Sequence, residues 1–438
     1  MNTVKLFPDP LKVKVEPSQK PLTPHGGLLL ISNLVQKLNL AKLIDATVTV
    51  KRRKRGYKES ESLLAMVYTF LAGGDCLDDM EALRRDDALK GITGGLPIPD
   101  PTTEGDFLRR FTLGHIRQLE KVMKKTFLKV ARWMPHTTQV TLDLDSSLFG
   151  VHGKQQGAQW SYKNIRGFHP LFCFIAQTGE WLHFRFRSGN TYSSEGGVHF
   201  LKECLGKLPS WVKRVYARMD SAFYSKGIVG ECEASRVGFT ITADQTEPLL
   251  EKIAALPSQA WQEYGDEVGS EVAEFHYRPV GWPKAYRYVV KRTPISAGEQ
   301  ADLFHAGFRY HVMVTNRIGA SHALMRIHDG RGGMENYLKG VKYDWGLEHI
   351  PCHEFHANWA YFLVGMLAYN LMIWLKYLAL PVRYVEYGIR RMRFWVFAVA
   401  GCWVNHGREM KLRLDVKGRA WFQEFSEALT RIRALEFA

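Results

Sequence analysis

A long run without a charged residue, from Phe355 to Leu375 (FHANWAYFLVGMLAYNLMIWL), limits the fold of this chain more than any other feature. About 20 apolar residues are enough to cross a bilayer, so the run predicts either a membrane span or a helix buried on all sides. The polar residues His356, Asn358 and Asn370 interrupt it, and it stands alone in the sequence. We therefore expect a core helix and no membrane association.

The charge balance points to a polyanionic partner. The 438 residues include 59 Lys and Arg against 44 Asp and Glu, a net charge of +15, and the length allows two or three domains. An excess of this size favours nucleic acid as the partner, with an anionic membrane surface as the alternative.

The cysteines and the N-terminal sequence bear on the compartment. The six cysteines are far apart and include no C-x-x-C pair, so neither a zinc site nor a disulfide framework is indicated. The first residues contain no apolar run of the signal-peptide kind. We expect a cytoplasmic protein.

Hydrophobic spacing divides the chain into five segments. Apolar residues recur at helical spacing up to Pro135, and after it strand-like alternation gives the predicted order β-β-β-α-β-α-β. The predicted segments are a helical N-terminal DNA-binding region at 1–135, the first part of an α/β core at 136–244, a β-rich insertion at 245–317, the last part of the core at 318–380 and a basic helical region at 381–438.

Acidic residues lie on two of the predicted core strands. In VTLDLDSSLFG, strand alternation puts Asp143 and Asp145 on the same face, and Asp220 ends the strand RVYARMD. A single such Asp is usually a turn or cap residue. Several carboxylates together in a buried site need a compensating charge, for which a divalent cation is the strongest candidate.

The segment HDGRGGMENYLKGVK spaces four polar residues regularly. Relative to Glu335, the residues His328, Arg331 and Lys342 lie at −7, −4 and +7, which places all four on one face of a helix. An exposed helix with Glu–Lys pairs would have the same spacing. The alternative is a functional stripe in which the acid binds metal and the bases bind phosphate.

These motifs resemble the DDE transposases of bacterial insertion sequences. The resemblance rests on LDLDSS, GFHPL, RSGNTYSSEGG, ARMDSAFYS and RGGMENYLKGVKYD, in this order over roughly residues 137–375. The last motif is similar to a Tyr-x2-Arg-x3-Glu-x6-Lys signature, with His328 at the Tyr position. The resemblance implies an α/β fold with a ribonuclease-H-like catalytic core and a β-rich insertion, between a helical DNA-binding region and a helical C-terminal region.

The resemblance also implies the catalytic residues. The first acid falls on Asp145, which is followed by Ser146, and Asp143 is the fallback. The second and third acids fall on Asp220 and Glu335. These acids would bind two Mg²⁺ ions per site, for which Mn²⁺ substitutes.

The function implied is DNA transposition. The enzyme would cleave at the ends of an insertion sequence and join the 3′-hydroxyl ends to target DNA, acting as a homodimer on paired ends. Its partners would be double-stranded terminal inverted repeats and target DNA. Two alternatives remain open, a catalytically inactive transposase-derived DNA-binding protein and a hydrolytic nuclease on the same fold.

Basic residues in three places are predicted to contact this DNA. One group belongs to the signature segment, one to the loop after the first strand and one to the run KRRKR, which as a charge run would equally suit a solvated face. The predicted contacts are His328, Arg331, Lys339, Lys342, Lys163, Arg166, His169, Lys51, Arg52, Arg53, Lys54 and Arg55.

Overall fold

The fold has a helical region and a large mixed sheet that share one hydrophobic core. A computed structural model of the chain describes residues 11, 13–18, 20–51, 53, 55–135, 138–192, 195–265, 267–295, 307–406, 409–415 and 418–437.

Helices dominate the first segment, as predicted. The described elements are the strand β1 (Leu22–Thr23) and the helices α1 (Leu29–Lys37), α2 (Leu40–Asp45), α3 (Glu59–Ala72), α4 (Met80–Arg84), α5 (Asp87–Ile92), α6 (Pro101–Arg109) and α7 (Leu113–Ala131). Helix α6 begins where Asp100 accepts a hydrogen bond from the Thr103 backbone N–H (3.0 Å) and Pro101 fills the first position.

The core sheet follows the predicted order of strands and helices. Its elements are β2 (Gln139–Ser146), β6 (Leu171–Ile175), β7 (Trp181–Arg185), α8 (Gly197–Leu205), β8 (Arg214–Met219), α9 (Lys226–Ala234) and β9 (Gly238–Thr242). Between β2 and β6 the strands β3 (Phe149–Gly150), β4 (Gln159–Trp160) and β5 (Arg166–Phe168) form a separate small sheet. Strands β2, β8 and β9 are parallel, so their carboxyl ends meet at one edge of the sheet.

The predicted insertion is β-rich and extends the same sheet. After α10 (Glu247–Ala254) come β10 (Gln262–Glu263), β11 (Glu271–Tyr277), β12 (Tyr286–Pro294) and β13 (Phe308–Thr315). Strand β13 pairs antiparallel with β9, which gives the nine-strand order β10-β11-β12-β13-β9-β8-β2-β6-β7. The insertion thereby covers the edge that β9 would otherwise expose.

The uncharged run forms a buried core helix, as predicted. After α11 (Ser321–Asp329) and α12 (Gly332–Lys339), helix α13 (Phe355–Leu378) packs against α3, α7 and β7. Its length and composition would suit a membrane span, but 89% of its most apolar window is buried inside the protein. The Asn370 side chain bonds the backbone N–H and C=O of Trp181 (both 2.9 Å), which explains a polar residue in this run.

The C-terminal segment departs from the helical prediction. It contains α14 (Ile389–Met392), β14 (Gly401–His406), β15 (Glu409–Leu414) and α15 (Arg419–Ala434). The pair β14–β15 takes up β1 as a third strand, with Leu22 opposite Cys402. A two-residue segment such as β1 forms a strand only when a strand distant in the chain supplies its hydrogen-bond partners. Local spacing therefore predicted neither the strand nor the sheet.

Candidate active site

Two aspartates lie side by side where parallel strands end. Asp145 is near the end of β2, and Asp220 directly follows β8, which pairs with β2 so that Leu144 is opposite Met219. The two carboxyl groups lie close enough to interact, and each affects the pKa of the other. The parallel pairing therefore places together two acids that are separated in the sequence by the small sheet β3–β5, the strands β6, β7 and β8, and the helix α8.

Asp145 is buried, Asp220 is half-buried, and their charges repel each other. Burial and the neighbouring Asp220 raise the pKa of Asp145 to about 7, and burial also raises the pKa of Asp220. Asp220 Oδ1 is buried and has no hydrogen-bond partner among the described residues. Because two adjacent carboxylates cannot both ionise without a large electrostatic cost, the pair holds a proton or requires a cation.

Arg331 provides part of the compensating charge. Its Nη1 lies 3.1 Å from Asp145 Oδ2, while the Ser146 backbone N–H donates to Asp145 Oδ1 (2.7 Å). Arg331 also lowers the pKa of Asp220, against the larger effect of burial. Arg331, which was predicted to contact DNA, therefore also forms an ion pair with the acidic pair.

Asp143 belongs to a different interaction, which corrects its assignment as a metal ligand and fallback first acid. It lies opposite Arg218 of β8, and both its oxygens accept hydrogen bonds from that guanidinium, from Nε at 2.6 Å and Nη2 at 2.7 Å. The carboxylate is 1% exposed. The bidentate pair engages both oxygens of a carboxylate that is shut off from solvent, which favours a structural role for Asp143 over metal binding.

The signature segment is broken into separate turns, so its residues do not form the predicted single stripe. Helix α11 ends at Asp329, α12 starts at Gly332, and residues Gly340–Asp344 form a π-helical turn that shifts the phase. At the first break, a Cβ on Gly330 would lie 2.6 Å from Arg218 Nη1. The arginine that binds Asp143 therefore packs against this break.

His328 is directed into the protein, which corrects its assignment as a DNA contact. It is 1% exposed, and its ring nitrogens bond Thr242 Oγ1 and Thr240 Oγ1, both at 2.9 Å. Burial, with nearby His311 and Arg331, lowers its pKa to about 3. A neutral, enclosed imidazole cannot bind phosphate.

We expect His328→Ala to destabilise the fold by about 1–3 kcal/mol, because it leaves the hydroxyls of buried Thr240 and half-buried Thr242 without their partner. Urea unfolding measures the change. The salt dependence of DNA binding should match that of the wild type, and a shallower dependence would contradict the buried role.

Lys342 and Glu335 differ in their surroundings. Lys342 Nζ donates to the Leu148 carbonyl (2.9 Å), just past the end of β2. Glu335 is exposed on α12 and has no hydrogen-bond or ion-pair partner within the described ranges. It lies one helical turn after Arg331 and seven residues before Lys342, and both of these contact the chain around Asp145.

A cavity of about 810 Å³ opens beside the acidic pair. It brings together four of the predicted residues with others that sequence reasoning missed. The predicted ones are Asp220, Lys163, His169 and Lys342. His169 is buried, which lowers its pKa, while the rings of Tyr162 and Tyr192 are 69% and 75% exposed.

Asp244 is the acid that the sequence analysis missed. It lies two residues after β9 and lines the same cavity, and partial desolvation raises its pKa although the residue is exposed. The available signal was the strand VGFTITAD, which ends in an acid as RVYARMD does. Three parallel strands, β2, β8 and β9, therefore carry an acid at the same edge of the sheet.

The other predicted DNA contacts lie outside this cavity. Arg166 is half-buried in β5, and Lys339 is exposed at the end of α12. Lys51 is half-buried with its backbone N–H on Glu59 Oε1 (3.1 Å), and Arg53 and Arg55 are exposed. Arg52 and Lys54 lie outside the described residues. DNA contact by this run stays a prediction.

A second group of potential metal ligands, Asp75, Cys76 and Asp79, lies before α4. Asp79 Oδ2 accepts hydrogen bonds from the backbone N–H groups of Asp75 (2.8 Å) and Cys76 (3.2 Å). These bonds account for the group as a turn that precedes a helix.

Comparison with known proteins places the chain in a family. The family model described as transposase DDE domain group 1 matches residues 9–437. The chain belongs to this family of DDE transposases. No curated protein matches it. Among solved structures, this transposase is similar to a piggyBac transposase in a synaptic complex with hairpin DNA, with a TM-score of 0.44 and 13% identity over 81% of this chain and 77% of that one.

Proposed function

We propose that this transposase cleaves DNA at the ends of a bacterial insertion sequence and joins the freed 3′-hydroxyl ends to target DNA. The observation that carries the proposal is the adjacent acids Asp145 and Asp220, set where parallel strands end beside a cavity with two lysines. This arrangement suits a ribonuclease-H-like core that acts on a phosphodiester.

The acidic pair fits a divalent cation. Asp220 Oδ1 is buried without a partner among the described residues, and burial together with the neighbouring Asp220 raises the pKa of Asp145, so a bound cation would stabilise both carboxylates in their charged form. Carboxylate oxygens are the ligands that Mg²⁺ prefers, and Mn²⁺ accepts the same set. Asp145, Asp220 and Glu335 would hold the metal, which stabilises charge on phosphoryl oxygens and activates the attacking hydroxyl or water.

Side chains around the acids would bind and orient the DNA. Arg331 presents a planar guanidinium beside Asp145, a shape that suits two phosphate oxygens. Lys163 and Lys342 add positive charge at the cavity wall, where they attract and neutralise the backbone. The exposed rings of Tyr162 and Tyr192 offer surfaces for bases or sugars.

Glu335 is our choice for the third acid. It lies in the same segment as Arg331 and Lys342, both of which contact the end of β2. Its carboxylate has no hydrogen-bond or ion-pair partner in the described part of the chain, so metal binding would break no existing contact. Asp244 is the competing residue because it lines the cavity itself.

The two acids can be separated by matched amide substitutions. We expect Glu335→Gln to lower Mg²⁺-dependent cleavage of DNA carrying the element ends by about 10³-fold or more, and Asp244→Asn to lower it by about tenfold or less. Both variants should bind this DNA as the wild type does. The reverse order would identify Asp244 as the third acid.

The same assay tests the function itself. Cleavage followed by joining supports transposition, whereas cleavage without joining would indicate a hydrolytic nuclease. Binding without cleavage in Mg²⁺ and Mn²⁺ would indicate a catalytically inactive DNA-binding protein. We further propose a homodimer on paired terminal inverted repeats, in the bacterial cytoplasm at the nucleoid.

A further inference from the structure

A second basic groove, of about 960 Å³, lies between the end of α7 and the chain that leads into β8. Lys124, Lys125 and Lys129 of α7 line one side together with Arg132, and Trp211 lines the other. None of these residues lines the cavity beside Asp220.

The groove lies at the opposite end of the core sheet from the acids. Trp211 precedes β8, whereas Asp220 directly follows it, so the six residues of β8 separate the two places. At about 3.3 Å per residue this is a distance of about 20 Å. The groove is therefore a separate surface and not a continuation of the active-site cavity.

The cations of the groove are unpaired. Within the described ranges, none of Lys124, Lys125, Lys129 and Arg132 forms an ion pair with a carboxylate, although Glu436 also lines the groove. Arg132 instead lies over the Trp211 ring, 5.6 Å from its centroid. Four uncompensated cations against one acid favour an anionic ligand.

The spacing of the cations suits a regular polyanion. From position 124 to 132 the helix rises about 12 Å, at 1.5 Å per residue. One strand of DNA presents a phosphate about every 3.4 Å along the duplex axis, so about three phosphates fall within this length. Trp133, 47% exposed and held edge-on by Phe437 at 6.2 Å, adds an apolar surface at one end.

We propose that this groove binds the phosphate backbone of double-stranded DNA at a distance from the cleavage site, through two or three of its lysines and Arg132. The inference rests on the proposed function in that DNA is the substrate. It assigns a second, sequence-independent contact that would hold the duplex flanking the cleavage point.

The test compares two variants of equal charge. Lys124→Gln/Lys125→Gln/Lys129→Gln removes the lysines of the groove, and Lys90→Gln/Lys252→Gln/Lys411→Gln removes three exposed lysines on α5, α10 and β15 that line neither the groove nor the active-site cavity. Fluorescence anisotropy with a labelled random-sequence duplex, in EDTA, gives Kd over a series of NaCl concentrations without cleavage.

We expect the groove variant to bind at least about tenfold more weakly at about 0.1 M salt, and its log–log salt slope to be shallower by about 2–3, because each phosphate contact contributes about 0.9. The control variant should keep the wild-type slope. Lys125→Glu, a single exposed change, should reproduce the direction of the effect.

Two results would overturn the inference alone, with the proposed function intact. One is a groove variant with the wild-type slope, and the other is an equal change in both triple variants, which would mean that only net charge matters. A wild-type protein that does not bind the random-sequence duplex would also overturn the inference, whereas the proposed function fails only if DNA carrying the element ends is neither bound nor cleaved.

Discussion

Asp220→Asn is expected to lower Mg²⁺-dependent DNA cleavage at least about a thousandfold while DNA binding remains, because a metal ligand contributes several kcal/mol to the stabilisation of the transition state. The amide keeps the shape of the side chain and removes the charge that a cation needs. Single-turnover cleavage of DNA carrying the element ends, beside a binding measurement in EDTA, provides the comparison.

Thermal unfolding separates the loss of a ligand from the loss of the fold. Without metal, Asp220→Asn should unfold at or above the wild-type temperature, since the substitution relieves repulsion within the buried pair. Mg²⁺ should raise the unfolding temperature of the wild type and leave that of the variant unchanged. A variant that still cuts at near the wild-type rate would remove Asp220 from the catalytic site.

Substitution of Asp143 should have the opposite effects, a loss of stability with the response to Mg²⁺ retained. Asp143→Ala is expected to lower the free energy of unfolding by about 3–5 kcal/mol, because it leaves the Arg218 guanidinium buried without its carboxylate. That guanidinium is 11% exposed and otherwise bonds the Ile327 carbonyl at 2.9 Å. Urea unfolding measures the loss, and the response to Mg²⁺ should persist in the fraction that folds.

The double variant Asp143→Leu/Arg218→Met is the control for this interpretation. Replacing both partners by apolar side chains removes the unpaired charge, so it should recover most of the lost stability. If Asp143→Ala is as stable as the wild type but loses its response to Mg²⁺, then Asp143 is a metal ligand and our reassignment is wrong.

Sequence patterns were sufficient where a local rule decides the structure. The absence of charge from Phe355 to Leu375 predicted the core helix, and the alternation around Asp145 and Asp220 predicted the strands that carry both acids. An uncharged helix must be covered on all sides, and an alternating strand must bury one face. Such constraints act among residues that are close in the sequence, so the sequence pattern is enough to predict their outcome.

Sequence patterns did not give the right role for a residue where its contacts with a distant part of the chain determine that role. Asp143 and Asp145 share a face of β2, but only Asp143 has Arg218 opposite it in β8, and this pairing makes it structural. His328 fits the spacing of the signature, yet its contacts with β9 bury it. Asp244 reaches the cavity only because β9 lies parallel to β8.

The sequence by itself determined the class of fold, the core helix, the two strands with their acids and the basic character of the chain. The tertiary structure alone decided which acids meet, which base is buried and where the last sheet forms. The reason is that charge, periodicity and turn chemistry are local properties. Strand register and helix packing join residues far apart in the chain, and their partners cannot be read from either residue alone.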